Sequence, residues 1–129
     1  DSKFKIYRMD IATKEIVPVA GNGTKPVNGS ASGHGTAGNP LSAVVGNVTG
    51  IYCDHSDGYI YYLDQQYCNM FVLVPGVGDD ASKGIIKKVY GTLFNDAFLG
   101  NTGGQLTKAS DGNFYVTCNA KHKIAKIHL

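Results

Sequence analysis

The sequence predicts an all-β protein, and three observations support that prediction. Val, Ile, Tyr and Phe alternate with polar residues along short segments, so the apolar period is two rather than the 3.6 of a helix. Turn-forming residues separate these segments, as at Ser56-Asp57-Gly58 and Ser110-Asp111-Gly112. The chain has 129 residues, 43% hydrophobic and 17% charged, which is sufficient for one domain with a sizeable core.

The predicted strands follow one another along the whole chain. The first two are an alternating segment over 4–9 and an apolar segment over 15–20, with a turn between them. Four more strands are predicted at about 49–54, 58–64, 69–74 and 84–90. The final segment contains another hairpin and ends in an alternating strand over 121–127. Together these strands predict antiparallel sheets joined by short turns.

An internal repeat organises these strands. Residues 56–62 recur 54 residues later as 110–116, and the register holds as far as Pro75 and Leu129. A partial third copy opens the chain, because residues 5–8 resemble 123–126 and residues 15–21 align with 85–91. If the four strands of a module are named a, b, c and d, the chain reads c-d, then a-b-c-d, then a-b-c.

The repeat unit resembles an NHL repeat. Residues 110–127, SDGNFYVTCNAKHKIAKI, resemble the core of that repeat, and Val19-Ala20-Gly21-Asn22-Gly23 resembles its closing turn. Residues 41–54 resemble the strand that follows. The resemblance implies a β-propeller built from antiparallel four-stranded blades. Within a single domain, 1–129, it implies a partial blade 1–21, a long loop 22–46, a full blade 47–91 and a partial blade 103–129.

About two and a half blades cannot close a propeller, which typically has 4–8 blades. We therefore expect apolar blade faces that further blades must cover, on Ile51, Ile60, Tyr62, Val72, Phe114, Val116 and Ile124. Either the chain is cut from a longer polypeptide, or copies of it associate into a ring or a filament. Both ends supply a c strand, which is redundant for ordinary closure and free to pair with a neighbour's edge, unless the first strand is misassigned.

Three sequons favour an extracellular, secreted glycoprotein. Asn22, Asn28 and Asn47 each begin an Asn-X-Ser/Thr triplet, and three within so short a span exceed chance. Glycans on the long loop would limit edge contacts on that side. The alternative is a polar loop in a protein that carries no glycans.

The three cysteines are too few for a disulfide scaffold. The module alignment places Cys68 in a b–c turn and Cys118 at the end of strand b in the next module, so both lie at one end of adjacent blades. We predict a Cys68–Cys118 disulfide, with Cys53 either a small buried hydrophobic residue or linked to another chain. The alternative is three reduced, buried thiols in an intracellular protein.

Charge and hydropathy argue against nucleic acid and membrane partners. The net charge is only +2 and the longest basic run is Lys87-Lys88. No apolar run reaches the ~20 residues of a membrane helix. The opening residues, DSKFKIYRMD, are neither an initiator Met nor a signal peptide, so we expect a chain that was processed or cut from a longer one.

The sequence offers no nucleophile motif, phosphate loop or metal-ligand spacing. We therefore predict a non-enzymatic protein without catalytic residues, metal or cofactor, which assembles with copies of itself. The resembling families include zinc-dependent lyases and calcium-dependent lactonases, for which only Asp54 and His55 could lie near a propeller axis. The alternative is thus a fragment of an NHL-type propeller that binds a ligand or performs such chemistry.

Overall fold

A computed structural model describes residues 4–25, 39–64, 69–90, 104–118 and 121–129. Within these ranges nine strands form three antiparallel sheets, which confirms the all-β prediction. Sheet I contains β1 (Ile6–Met9) and β2 (Ile16–Ala20). Sheet II contains β3 (Val48–Cys53), β4 (Ile60–Asp64), β5 (Asn69–Val74) and β6 (Ile85–Tyr90). Sheet III contains β7 (Leu106–Lys108), β8 (Phe114–Cys118) and β9 (Lys123–Ile127).

The strand predictions for sheet II are confirmed to within two residues at each end. Strand β4 begins at Ile60 rather than 58 because Gly58, with φ +76°, belongs to the preceding turn. In that turn the Gly58 N–H donates to the Asp54 carbonyl oxygen at 2.8 Å. The turn at Gly112, with φ +82°, is one residue shorter, and the Gly112 N–H donates to the Ala109 carbonyl oxygen at 2.9 Å. Three 3₁₀ turns, Pro40–Ser42, Val77–Asp79 and Ala81–Lys83, lie in the connections.

Sheet II lies between the other two sheets and is buried on both faces. Because side chains alternate along a strand, consecutive residues of sheet II enter different cores. Tyr62, Phe71, Leu73 and Ile86 share one core with Ile6 and Ala20 of sheet I and with Ala43 and Val45. Leu63 and Met70 share the other core with sheet III residues Leu106, Phe114, Val116, Cys118 and Ile127.

The expectation of exposed blade faces is wrong for most of the residues named for it. Tyr62, Val72, Phe114 and Val116 are buried, and Ile60 is half-buried, because neighbouring sheets of the same chain cover them. Ile51 and Ile124 remain exposed, at 45% and 72%. Ile51 is exposed because it faces the side of sheet I, which has only two described strands and does not extend over β3.

Two glycines allow close approach of backbone segments. Gly50 lies where sheet II meets the segment before β7, and Gly104 lies where that segment meets Thr117 of β8 within sheet III. A Cβ on Gly50 would lie 2.6 Å from the Gly104 carbonyl oxygen, and one on Gly104 would lie 1.6 Å from the Thr117 carbonyl oxygen. A larger residue at either position would force these backbone segments apart.

Candidate functional site

The outer face of sheet I exposes an apolar surface. Met9 and Ile16 are cross-strand partners and are 53% and 61% exposed, while Tyr7 beside them is 38% exposed. Pro18, the partner of Tyr7, is also exposed. We call Tyr7, Met9, Ile16 and Pro18 the sheet I outer face.

The repeat alignment shows what this face corresponds to inside the molecule. Tyr7, Met9 and Ile16 stand at the positions of Phe71, Leu73 and Ile86 in sheet II. Those three residues are 4%, 3% and 1% exposed and form the core between sheets I and II. The sheet I outer face therefore carries large apolar residues at the positions that are buried in sheet II. No further described sheet packs against them.

The outer face of sheet III is the opposite end of the stack. Ile124 aligns with Ile6 of sheet I and with Met70 of sheet II. Ile6 is 5% exposed and Met70 is fully buried, whereas Ile124 is 72% exposed. We call Thr107, Tyr115, Thr117, Ile124 and Lys126 the sheet III outer face. It is more polar than the sheet I outer face, and its one large aliphatic side chain occupies a position that is buried in both other sheets.

An ion pair joins sheets II and III at the end of the stack where the a–b turns lie. Lys108 Nζ donates to Asp54 Oδ2 at 2.7 Å, and the two side chains are 28% and 8% exposed. Asp54 Oδ1 accepts from the Ser56 hydroxyl at 2.6 Å. The hydrogen bond from Lys108, followed by those from Ser56, holds the pKa of Asp54 well below its usual value. The same bond raises the pKa of Lys108.

Aromatic rings lie beside this ion pair. The Phe114 ring lies 4.6 Å from the Tyr61 ring and 6.0 Å from the Tyr52 ring, measured between centroids. Lys108 Nζ lies 5.7 Å from the Phe114 centroid, within cation–π range. Burial raises the pKa of Tyr61. Both carboxylate oxygens of Asp54 already accept hydrogen bonds. The cluster therefore links two sheets and does not offer an unengaged carboxylate for chemistry.

A second cation–aromatic pair lies on the sheet III outer face. Tyr115 and Lys126 are cross-strand partners, and Lys126 Nζ lies 5.9 Å from the Tyr115 ring centroid. Asp111 Oδ2 accepts from the Tyr115 hydroxyl at 3.1 Å and lies 3.4 Å from Lys126 Nζ. Hydrogen bonds from Asn113 are the largest cause that lowers the pKa of Asp111.

The predicted glycosylation sites fall at the ends of strands. Asn22 follows β2 and is exposed, with its Oδ1 accepting the Thr24 N–H at 2.8 Å. Asn47 precedes β3 and is also exposed. Both lie at one end of the stack, because the segments that begin β1 and β3 line a common pocket and β2 runs antiparallel to β1. Asn28 lies outside the described residues.

The cysteines give one correction and leave two predictions standing. Among the described residues, Cys53 and Cys118 are not joined to each other by a disulfide. Of the two alternatives for Cys53, burial is wrong and a link to another chain stays a prediction: Cys53 is exposed, because it shares with Ile51 the face that sheet I does not cover. Cys118 is buried at the end of β8, and this burial raises its pKa. Cys68 lies outside the described residues, so the Cys68–Cys118 disulfide stays a prediction.

Three of the four histidines lie in the described ranges. His55 is exposed in the β3–β4 turn, and His122 occupies the turn before β9 with φ 50°. His128 follows β9, and its Nδ1 hydrogen-bonds Asn113 Oδ1. Across the described ranges, no three His, Cys, Asp or Glu side chains are grouped as metal ligands. No helix in those ranges is long and apolar enough to cross a membrane.

Sequence reasoning missed Lys108, Arg8 and the polarity of the two outer faces. The repeat held no signal for Lys108: Lys108 pairs with Phe114 as Cys53 pairs with Ile60, and the residue that takes the place of Asp54 in sheet III is Ala109. Arg8 aligns with Lys126, yet only the structure places Arg8 between sheets I and II. Comparison with known proteins found no family model and no curated protein that matches the chain.

Proposed function

We propose that this chain is a non-enzymatic extracellular interaction protein whose NHL-like, blade-type sheets stack with those of other copies. The observation that carries the proposal is the exposure of Met9 and Ile16, at 53% and 61%, in positions where sheet II buries Leu73 and Ile86. Large apolar side chains grouped on one sheet face usually mark an interface. We expect that interface to resemble the packing between neighbouring sheets within the chain.

Head-to-tail association fits both ends of the stack. The sheet III outer face of one copy would contact the sheet I outer face of the next, so that Ile124 is covered as Ile6 is covered inside the chain. The cation beside it, Lys126, aligns with Arg8, which lines the space between sheets I and II. A long basic side chain is therefore compatible with this type of interface, because its aliphatic stem packs while its charged end reaches water.

Such an interface uses two different surfaces, so the copies form a ring if the rotation closes and a filament if it does not. The exposure of Asn22 and Asn47 supports the proposed glycosylation and secretion. Both sites lie at strand ends rather than on the outer faces, so glycans there are compatible with stacking. Metal-dependent chemistry at Asp54 and His55 has less support, because Lys108 and Ser56 engage the Asp54 carboxylate.

Sedimentation velocity across micromolar concentrations tests the association. We expect species larger than the 13.7 kDa chain, and we expect Ile16→Lys to shift the population toward monomer because it puts a charge into the apolar interface. Val77→Lys is the matched control, since Val77 is 88% exposed and lies outside both outer faces. A folded monomer at all concentrations would contradict the proposed association, and so would equal effects of the two variants.

Intact mass before and after amidase treatment of the secreted chain tests the proposed glycosylation. An unchanged mass would contradict it.

A further inference from the structure

We propose that the open edge of β1 and the cavity beside it accept an extended peptide strand that places a tyrosine opposite Arg8. The inference goes beyond stacking, because it uses the edge and the inner face of sheet I rather than its outer face.

The edge is open among the described strands. Strand β1 pairs with β2 alone, whereas its equivalents β5 and β9 each pair on their other side with a b strand, β4 or β8. An unpaired row of backbone N–H and C=O groups is a template for strand addition. The missing neighbour of β1 is therefore a strand of the β4 and β8 type.

A cavity of about 210 Å³ lies between sheets I and II beside this edge. It is lined mainly by apolar residues, with Arg8 as its cation: Arg8, Val19, Ile60, Leu73, Pro75 and Ala81. Between sheets II and III the position of Ile60 is taken by Phe114, which packs against Tyr61 and Tyr52 of strands β4 and β3. Sheet I has no described counterpart of those two strands, so no equivalent rings fill the space against Ile60.

The cross-strand register identifies the side chain that fits. In sheet III, Tyr115 on the b strand faces Lys126 on the c strand, and Lys126 Nζ lies 5.9 Å from the Tyr115 ring centroid. In sheet II, Tyr61 occupies the equivalent place opposite Val72. Arg8 aligns with both Val72 and Lys126. An incoming strand in this register places a tyrosine over the Arg8 guanidinium, with its ring directed toward Ile60 as the Tyr61 ring is toward Phe114.

The occupant is thus an extended segment with a tyrosine between alternating apolar residues. The bound segment would also cover Ile51, which is 45% exposed on the face of sheet II that sheet I does not cover. A probe comes from the chain itself: residues 112–118, GNFYVTC, contain a single tyrosine in the required register. We would use it with Cys118→Ser and terminal lysines for solubility.

The experiment is an NMR titration of the Ile16→Lys chain, in which copy association is weakened by design. We expect the peptide to shift and protect amides of residues 6–9, and we expect a Tyr115→Ala peptide to bind about tenfold more weakly. On the protein, Ile60→Phe supplies the ring that Tyr61 contacts at position 114 and should strengthen binding of the tyrosine peptide. Arg8→Met should weaken binding, and Val77→Lys is the control.

Equal affinity of the two peptides would overturn the inference, as would binding that leaves the amides of residues 6–9 unchanged or no binding at millimolar peptide. These outcomes are independent of stacking, because the titration uses a chain whose sheet I outer face already carries a charge. A chain that is monomeric at all concentrations but binds the peptide would refute stacking and support the strand site.

Discussion

Single residues link neighbouring sheets. Asp54 of sheet II and Lys108 of sheet III carry opposite charges, and their contact at 2.7 Å joins the two sheets. Both side chains are largely shielded from water, at 8% and 28% exposed, so solvent screening is reduced. The hairpin turns at 56–58 and 110–112 could be predicted from sequence because Asp-Gly needs no tertiary contact. The ion pair could not, because it depends on which sheets are neighbours.

The ion pair predicts a pH dependence of stability. Because the pKa of Asp54 lies below its usual 3.8, the folded protein binds fewer protons than the unfolded chain in acid. This contribution is fully present above the unfolded pKa and is lost as the pH falls below about 4 toward the lowered folded pKa. We expect the urea midpoint to fall between pH 6 and pH 3, and Lys108→Met to show a smaller fall.

Lys126→Met is the control for this comparison, because Lys126 pairs with Asp111 at a more exposed site, with side chains 54% and 44% exposed. Identical pH profiles for the wild-type chain and Lys108→Met would contradict the role assigned to the Asp54–Lys108 pair.

Strands and sheets were the most predictable level of the structure. The alternation of residue types over β3 to β6 predicts the strand boundaries to within two residues. It does so because successive side chains of a strand point to opposite faces with different surroundings. Face coverage was not predictable: Phe114 was expected to need another blade and is instead 2% exposed beneath sheet II. The exposed Cys53 could not be foreseen either, since its burial depends on how many strands the neighbouring sheet has.

Phe114 gives the element-scale prediction. Its ring lies between sheets II and III and contacts Tyr52 and Tyr61, so Phe114→Ala should lower the free energy of unfolding by about 3–5 kcal/mol. Tyr115→Ala, one residue along the same strand, removes a half-buried ring from the other face and should cost about 1 kcal/mol. Chemical denaturation of both variants measures the difference. Equal losses would mean that the two sheets do not share the core described for them.

At the scale of the whole molecule, the three sheets of the described ranges form a stack with different ends. Sheet II is buried on both faces, the sheet I outer face is apolar, and the sheet III outer face places Ile124 among polar residues. Two different ends favour head-to-tail association over a symmetric dimer, in which one face would meet its own copy. The sequence predicted that faces would need cover, but only the structure separates the faces covered within the chain from those left at its ends.

Sedimentation velocity of an equimolar mixture of Ile16→Lys and Ile124→Lys chains tests the central claim most directly. Each variant keeps one intact outer face and loses the other, so we expect monomers from each alone and a 1:1 dimer from the mixture, near twice the 13.7 kDa chain mass. If Ile124→Lys alone associates as the unmodified chain does, the copies meet through sheet I faces only. That result, or a mixture that stays monomeric while the unmodified chain associates, would contradict head-to-tail stacking.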